Sequence, residues 1–225
     1  MEEKIKKIIT DLGASVCGIS SVERFKEVPE GFSPTDIYSE CKSVIAFGVN
    51  LPKGLTKLKS SLIYGHFNYF SCSIVDKIAF DGAKIIEEKF NCFSLPMPCD
   101  NPYEYWDEDK LEGKGLISMK HTAILCGIGA LGKNTLLLNP KYGNELTIGA
   151  ILTDLELKSD DLCENICIKE CHKCIENCPV GAIQEGKVVQ KLCRNNAYGK
   201  TKRGFDTVEC NKCRKVCPMR YGKNL

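Results

Sequence analysis

The sequence lacks an excess of charge of either sign, and it lacks any long apolar run. Its 31 lysines and arginines nearly balance 29 acidic residues, and a net charge of +2 gives no overall attraction to nucleic acid or membranes. Apolar stretches such as residues 44–49 are far shorter than the ~20 residues of a membrane-spanning helix. The N-terminus opens on an amphipathic pattern, without an export signal. These absences predict a cytoplasmic protein without a membrane partner.

Cysteine, in contrast, is abundant, with 15 in the chain. Without an export signal, so many cysteines indicate metal ligation in a reducing compartment rather than disulfides. Nine of them lie within residues 163–217, where two Cys-x-x-Cys pairs are each followed, after three residues, by Cys-Pro. This repeated ending is typical of a ferredoxin-type module with two 4Fe–4S clusters, in which the cysteine before proline binds the other motif's cluster. The pattern therefore predicts an oxygen-sensitive iron–sulfur protein.

The spacing assigns eight cysteines to two clusters. The first set is Cys167, Cys171, Cys174 and Cys217, and the second is Cys178, Cys193, Cys210 and Cys213. The first motif departs from the usual two-residue spacing, so either Cys167 or Cys163 opens it. A buried helical stripe would explain only the cysteines at 163, 167 and 171. Structural zinc would use two pairs, but 35 residues lie between these pairs instead of the usual ~15–20, and the two Cys-Pro cysteines would be left without a role.

Composition changes near residue 158, which predicts a front domain over residues 1–157 and a small ferredoxin-like domain over 158–225. Apolar periodicity predicts helices over residues 5–12, 68–90 and 116–126. Strands are predicted over residues 15–20, 43–49, 92–97, 135–138 and 146–153. We expect the last two strands to form a hairpin, residues 182–189 to form another, and residues 98–113 to be a surface loop. The fold class is α+β.

A glycine-rich turn at residues 127–135 matches G-x-G-x-x-G and nearly matches a phosphate-binding loop. A nucleotide site of that type needs a strand before the turn and a helix after it, and the predicted order here is the reverse. Glycines beside Lys133 also suit a loop that approaches a cofactor closely. The turn therefore predicts a cofactor-facing loop in preference to a nucleotide site.

Several other side chains have two interpretations each. His121 and His66 are candidates for proton transfer, because histidine titrates near neutral pH, or they are hydrogen-bonded structural residues. A group of aromatic residues could line a pocket for a flat cofactor or pack in the core: Tyr64, Tyr69, Tyr103, Tyr105 and Trp106. The six cysteines before residue 158 lack paired spacing and are interpreted mostly as small buried apolar residues.

The segment from Lys191 onward is basic, with ten lysines and arginines against two acidic residues. One interpretation is a surface that faces RNA or an acidic partner. The plainer one is that these cations offset the negative charge of thiolate-ligated clusters. A nucleic-acid partner is therefore not predicted.

Residues 115–121, 126–138 and 153–154, together with the double Cys-Pro module, resemble the epoxyqueuosine reductase family and the related reductive dehalogenases. Residues 27–37 and 42–48 are similar to a short, single-module branch of that group. The resemblance implies a nitroreductase-like α/β domain followed by a two-cluster ferredoxin-like domain. It also implies cobalamin between them, receiving electrons from the nearer cluster.

By position, the resemblance implies that Gly129, Gly132, Lys133 and Asn134 face that cofactor. The family's acidic proton donor has no counterpart near residues 114–115, and His121 is the alternative donor. The family's tRNA-associated extension does not follow the module, so the resemblance does not carry tRNA epoxide reduction over to this chain.

These observations predict an iron–sulfur oxidoreductase. A low-potential donor of the ferredoxin or flavodoxin type would load two 4Fe–4S clusters, which pass electrons to cobalamin or to a small-molecule substrate. The alternative is a non-catalytic electron carrier, or a protein that re-reduces the corrinoid of a partner.

Overall fold

A computed structural model describes residues 1–58, 61–100 and 104–223 of the chain. The first part of the chain forms α1 (Glu2–Asp11), β1 (Val16–Ser21), α2 (Pro34–Ile37), β2 (Ser43–Asn50), α3 (Ser61–Phe90), β3 (Ser94–Met97), β4 (Tyr105–Asp107), β5 (Glu112–Lys114), α4 (Met119–Leu125), β6 (Ala130–Leu131), β7 (Leu137–Leu138) and β8 (Leu146–Thr153). The second part forms α5 (Lys173–Glu176), β9 (Ile183–Gln184), β10 (Lys187–Val188), α6 (Gln190–Ala197), β11 (Tyr198–Lys200), β12 (Asp206–Val208) and α7 (Lys212–Lys215). The mixture of helices and strands agrees with the predicted α+β class.

A four-stranded antiparallel sheet in the order β1-β2-β8-β3 forms the centre of the front part. Alternate side chains of β2 enter two different cores. Ile45 and Phe47 pack with α1 and α3 on one face, whereas Val44 and Ala46 pack with α4 and Ile128 on the other. Because both faces are covered, β2 reads as a continuous apolar run rather than an alternating one.

Helix α3 lies across the sheet and continues toward the C-terminal part of the chain. Val75, Ile78 and Ile86 are buried against the sheet. Near its N-terminus, a side chain at Gly65 would lie 2.9 Å from the backbone nitrogen of Val208, so this helix closely contacts β12. The helix begins at Ser61, seven residues before the predicted start at residue 68. Among the described residues, none of the helices combines the length and apolar character needed to cross a bilayer.

Two predictions about strand pairing and loops were wrong in part. The expected hairpin over residues 135–153 is absent from the described structure. Strand β7 pairs instead with β6, which belongs to the glycine-rich turn, and β8 enters the central sheet between β2 and β3. Its apolar side chains are buried better there than in an isolated hairpin. The segment expected to be a surface loop, residues 98–113, contributes to a short hairpin formed by β4 and β5. Residues 101–103 of that segment lie outside the described residues.

The C-terminal part, after the predicted boundary near residue 158, is built from short elements. Strands β9 and β10 form the predicted hairpin at residues 182–189, with Gly186 at a φ of 73° in its turn. Helices α5 and α7 are single turns that contact each other, and each contains the second cysteine of a Cys-x-x-Cys pair. The two-domain division and the nitroreductase-like and ferredoxin-like assignments stay predictions.

Candidate functional site

Four cysteines from separate parts of the C-terminal segment line one cavity, which we call the cysteine cavity. They are Cys167, Cys171, Cys174 and Cys217, and Gly132, Lys133 and Asn134 line the same cavity. Burial, together with a smaller effect of the other three cysteines, raises the pKa of the Cys217 thiol to about 11. Four thiols this close resist ionising together, and bound iron would supply the opposing positive charge. The donor set fits a 4Fe–4S cluster.

A second group is formed by Cys178, Cys193, Cys210 and Cys213. Burial raises the pKa of Cys193, and the nearby thiols of Cys210 and Cys178 raise it further. Burial also raises the pKa of Cys213 to about 11, with Cys193 and Cys210 again contributing. These mutual effects show that the four cysteines of the second expected set lie near one another. In the described part of the chain, no three His, Cys, Asp or Glu side chains are arranged to hold a single metal ion.

Cys178 has a different environment from the other cysteines. Burial opposes its ionisation, but the backbone N–H groups of residues 180–183 outweigh burial and lower its pKa. One of these, from Ala182, donates to the Cys178 Sγ at 3.3 Å. Hydrogen bonds to ligand sulfur are among the features that set a cluster's potential. The chain after the Cys-Pro step is therefore shaped around a thiolate.

The structure separates the two cysteines that the spacing left open. Cys167 lines the cysteine cavity, whereas the charged neighbours of Cys163 are Lys223 and Glu164. The Cys167 N–H donates to Asn165 Oδ1 at 2.9 Å, and the Asn165 side chain donates to the Leu131 carbonyl at 3.2 Å. Asn165 thereby fixes the start of the first motif to the glycine-rich turn. Sequence spacing carries no signal for this contact.

The glycine-rich turn contacts both cysteine groups. Lys133 Nζ lies 3.0 Å from His172 Nε2 and donates to the Lys169 carbonyl, both within the first motif. Asn134 donates to the Cys213 carbonyl at 3.3 Å, within the second. A side chain at Gly129 would lie 2.5 Å from the Leu138 carbonyl oxygen, so that glycine serves the β6–β7 pairing. Three of the four predicted cofactor-loop residues thus face a cysteine group.

His121 lies on α4, and its Nδ1 is 2.8 Å from the Ser118 hydroxyl. Partial desolvation and the neighbouring Lys120 lower its pKa. The side chain is exposed, and it does not line the cysteine cavity. Its role as a proton donor stays a prediction. Desolvation and the nearby Arg214 lower the pKa of the adjacent Lys120, which also has Cys213 and Cys193 as neighbours.

A buried ion pair connects the front of the protein to the second motif. Arg214 Nη1 lies 3.6 Å from Glu145 Oε2, and the two side chains are 13% and 3% exposed. Burial raises the pKa of Glu145, and Arg214 and Arg220 oppose this shift. Next to it, the Asn144 side chain donates to the Arg214 carbonyl at 3.3 Å. Sequence reasoning missed this pair, because its members are distant in the chain and follow no motif.

A second, open cavity of about 230 Å³ lies between α3 and the segment over α6 to β12. It is lined by Tyr69, Asp100, Arg194, Tyr198, Gly199, Asp206 and Thr207. The Arg194 guanidinium lies 5.2 Å from the Trp106 ring centre and 5.8 Å from that of Tyr198. Of the aromatic residues expected around a flat cofactor, Tyr69 lines this cavity, Trp106 lies beside it, and Tyr103 is outside the described residues. Arg194 directly follows Cys193, so the second cavity adjoins the second cysteine group.

Comparisons with known proteins agree with the suspected resemblance, although no family model matches the chain. An epoxyqueuosine reductase of Listeria monocytogenes is 32% identical over 131 residues, which cover 49% of this chain and 32% of that protein. One of Prochlorococcus marinus is 27% identical over 192 residues, covering 79% of this chain and 57% of that protein. The matches thus span about a third to somewhat over half of the relatives' length.

Solved structures share the fold at low sequence identity. The epoxyqueuosine reductase of Bacillus subtilis superimposes with a TM-score of 0.71 at 17% identity, over 100% of this chain and 66% of that one. A reductive dehalogenase, whose structure suggests a mechanism for B12-dependent dehalogenation, gives 0.69 at 17% identity, over 97% of this chain and 32% of the other. The chain is therefore similar in sequence to epoxyqueuosine reductases, and it shares its fold with them and with a reductive dehalogenase.

Proposed function

We propose that this chain is an iron–sulfur reductase that binds one 4Fe–4S cluster on each cysteine group and delivers electrons to an acceptor in the second cavity. The observation that carries the proposal is the crossed origin of the ligands. Cys217 follows the second Cys-x-x-Cys pair but lines the cavity of the first, and Cys178 follows the first pair but neighbours Cys193 of the second cysteine group. This exchange is the arrangement of two-cluster ferredoxins.

The clusters would supply one-electron transfer, and the residues of this chain would hold and tune them. Lys133 places a positive charge against the backbone of the first motif at Lys169. The backbone N–H groups of residues 180–183 point their dipoles at the Cys178 sulfur. Asn134 ties the glycine-rich turn to the backbone at Cys213. Because cluster charge and hydrogen bonding set the reduction potential, we infer that these groups raise it relative to an exposed module. The turn is therefore proposed as part of the cluster environment.

The second cavity supports the acceptor part of the proposal. It adjoins Cys193 through Arg194, and aromatic side chains of Tyr69 and Tyr198 form its walls. Its volume of about 230 Å³ is below the ~300–1,000 Å³ of pockets that enclose drug-sized ligands. It fits a small planar acceptor, or one edge of a larger ring such as a corrinoid. A whole corrinoid would extend out of it, and we assign no chemical step to one.

Metal analysis of anaerobically purified protein tests the cluster assignment. We expect about eight irons and eight sulfides per chain, as two cubanes require. Cys193→Ser should lose about half of the iron, and Cys163→Ser, which changes a cysteine outside both groups, should lose none. One bound zinc without sulfide would contradict the cluster proposal. Iron loss in Cys163→Ser without loss in Cys167→Ser would reverse the ligand assignment.

A binding experiment separates a reductase from an electron carrier. Dithionite-reduced protein is mixed with FMN or aquocobalamin as probes, and retention is measured by anaerobic desalting and equilibrium dialysis. If a planar ring stacks on Tyr198, Tyr198→Ala should raise Kd by about 2–10-fold, since an aromatic pair contributes about 0.5–1.5 kcal/mol. Phe93→Ala, at an exposed phenylalanine outside the cavity, is the matched control. Retention of neither probe would contradict the acceptor site and favour the carrier.

A further inference from the structure

Glu145 and Arg214 form a buried ion pair where the front of the protein meets α7. Their charged atoms lie 3.6 Å apart, and the two side chains are 3% and 13% exposed. Removing two charges from water costs free energy, and replacing such a pair with apolar residues is often neutral or stabilising. Stability alone therefore does not explain why these two positions carry charges.

The two side chains interact through their charges and not through hydrogen bonds. Within the described residues, neither carboxylate oxygen of Glu145 has a hydrogen-bond partner, and nor does Arg214 Nη1. Charges enclosed in the protein interior are screened by water and salt much less than charges at the surface. A further charge placed nearby, such as an electron on a metal cluster, is therefore affected by both members of the pair.

The backbone holds Arg214 next to the second cysteine group. Arg214 directly follows Cys213, and the carbonyls of these two residues each accept a hydrogen bond from the front of the protein. Asn134 donates to the Cys213 carbonyl and Asn144 to the Arg214 carbonyl, both at 3.3 Å. Asn144 directly precedes Glu145 in the chain. Burial raises the pKa of Cys213, and the charge of Arg214 opposes that shift. The guanidinium, its counter-ion and this cysteine are thus held in one fixed arrangement.

We propose that Glu145 lowers the reduction potential of the cluster on the second cysteine group by cancelling part of the charge of Arg214. This inference rests on the proposed function, because it requires a cluster at that group. An electron added to the cluster is stabilised by the positive charge of Arg214 and destabilised by the negative charge of Glu145. Without the carboxylate, the cluster would be easier to reduce, and it would be a weaker reductant for an acceptor in the second cavity.

A redox titration of the anaerobic, cluster-loaded protein tests this role. Potentials are set with titanium(III) citrate, and electron paramagnetic resonance follows the two one-electron reductions. A unit charge about 10 Å away, at an effective dielectric constant of ~20, changes a one-electron equilibrium by about tenfold, which corresponds to ~59 mV. Glu145→Gln should raise one midpoint potential by about this amount. The midpoint that moves should be the one that is missing from Cys193→Ser.

Arg214→Gln tests the pair from its other side and should lower the same midpoint. The double variant should lie below Glu145→Gln, because it also lacks the guanidinium. Glu209→Gln is the matched control, since it removes an exposed carboxylate directly before Cys210. Solvent screens that charge, so its shift should be less than half of the shift in Glu145→Gln. An equal shift in the control would overturn the assignment to the buried pair.

The iron content separates failure of this inference from failure of the proposed function. Unchanged midpoints in both single variants, in protein that retains about eight irons, would overturn the role of the pair but leave the clusters in place. Wild-type protein without iron would refute the clusters themselves. A purely structural pair would lower the melting temperature of the variants without moving either midpoint. If Glu145→Gln loses its iron, Arg214→Gln decides the question, and an unchanged or raised midpoint in that variant overturns the proposal.

Discussion

The buried ion pair between Glu145 and Arg214 predicts how strongly α7 is held to the front of the protein. Glu145 is buried, and within the described residues neither of its carboxylate oxygens has a hydrogen-bond partner. Arg214→Met keeps most of the side-chain volume but leaves the carboxylate without its nearest cation. Breaking a buried pair from one side costs about 3–5 kcal/mol. For a chain of this size we expect the melting temperature to fall by about 6–20 °C.

A double substitution separates the lost charge from lost packing. In Arg214→Met with Glu145→Leu, no buried charge is left unpaired, so most of the stability should return. Arg203→Met, at an exposed arginine in the same part of the chain, is the matched control and should change stability by less than about 0.5 kcal/mol. Scanning calorimetry at one scan rate provides the measurement, with iron content determined for each variant because Arg214 adjoins Cys213.

The effect should also depend on pH. The pKa of Glu145 is raised above its ordinary value of 4.5 in the folded protein, because burial disfavours the carboxylate. A raised carboxyl pKa contributes stability that is fully present below 4.5 and is lost as the pH rises through the folded value. Since Arg214 opposes the shift, its removal raises the pKa further. The gap between wild type and Arg214→Met should narrow toward pH 4.5. A gap that is constant with pH, or no larger than in the control, would refute this reasoning.

Three further predictions concern single contacts. Asn134→Ala removes a side chain that donates to the Cys213 carbonyl, and it should cost about 1–3 kcal/mol in the free energy of unfolding, measured by thermal melting; an unchanged melting temperature would contradict this bond. Gly149→Ala would place a methyl group 2.4 Å from Val75 Cγ1 and 2.7 Å from Phe47 Cζ, and it should destabilise the protein by about 1–3 kcal/mol in the same assay; an unchanged melting temperature would contradict this packing. Burial raises the pKa of Cys17 to about 12, so its alkylation at pH 8 should be about 10³-fold slower than that of an ordinary thiol; fast labelling in timed mass spectrometry would disprove this.

The elements that were predicted correctly carry local signals. Helix α1 has apolar residues at helical spacing and ends near Gly13, which has the positive φ of 111° typical of a helix terminus. Strand β2 is an apolar run within two residues of its predicted bounds. The hairpin at residues 182–189 was predictable because its turn contains Gly186, and glycine readily adopts the positive φ that the structure shows there. Each of these depends on fewer than a dozen adjacent residues.

The errors concern contacts between distant segments. Strand β8 was expected to pair with its sequence neighbour, but its partner β2 lies about 100 residues earlier. Apolar composition predicts that such a strand is buried, but not which strand buries it. The Glu145–Arg214 pair was missed for the same reason. It has no fixed spacing, and only the packing of the segment that contains α7 against the front of the protein brings its partners together.

The cysteine groups show why candidate ligands can be predicted from sequence whereas an acceptor site cannot. A cluster needs several thiolates at one place, and short turns supply most of them from adjacent residues, so the requirement appears in the sequence as Cys-x-x-Cys spacing. The second cavity has no comparable requirement, since its walls come from α3, the segment after β3 and residues 194–207. Shape and aromatic surface arise there from packing, which many sequences can satisfy. Binding of a defined acceptor, and not a further motif, is therefore the observation that decides between a reductase and a carrier.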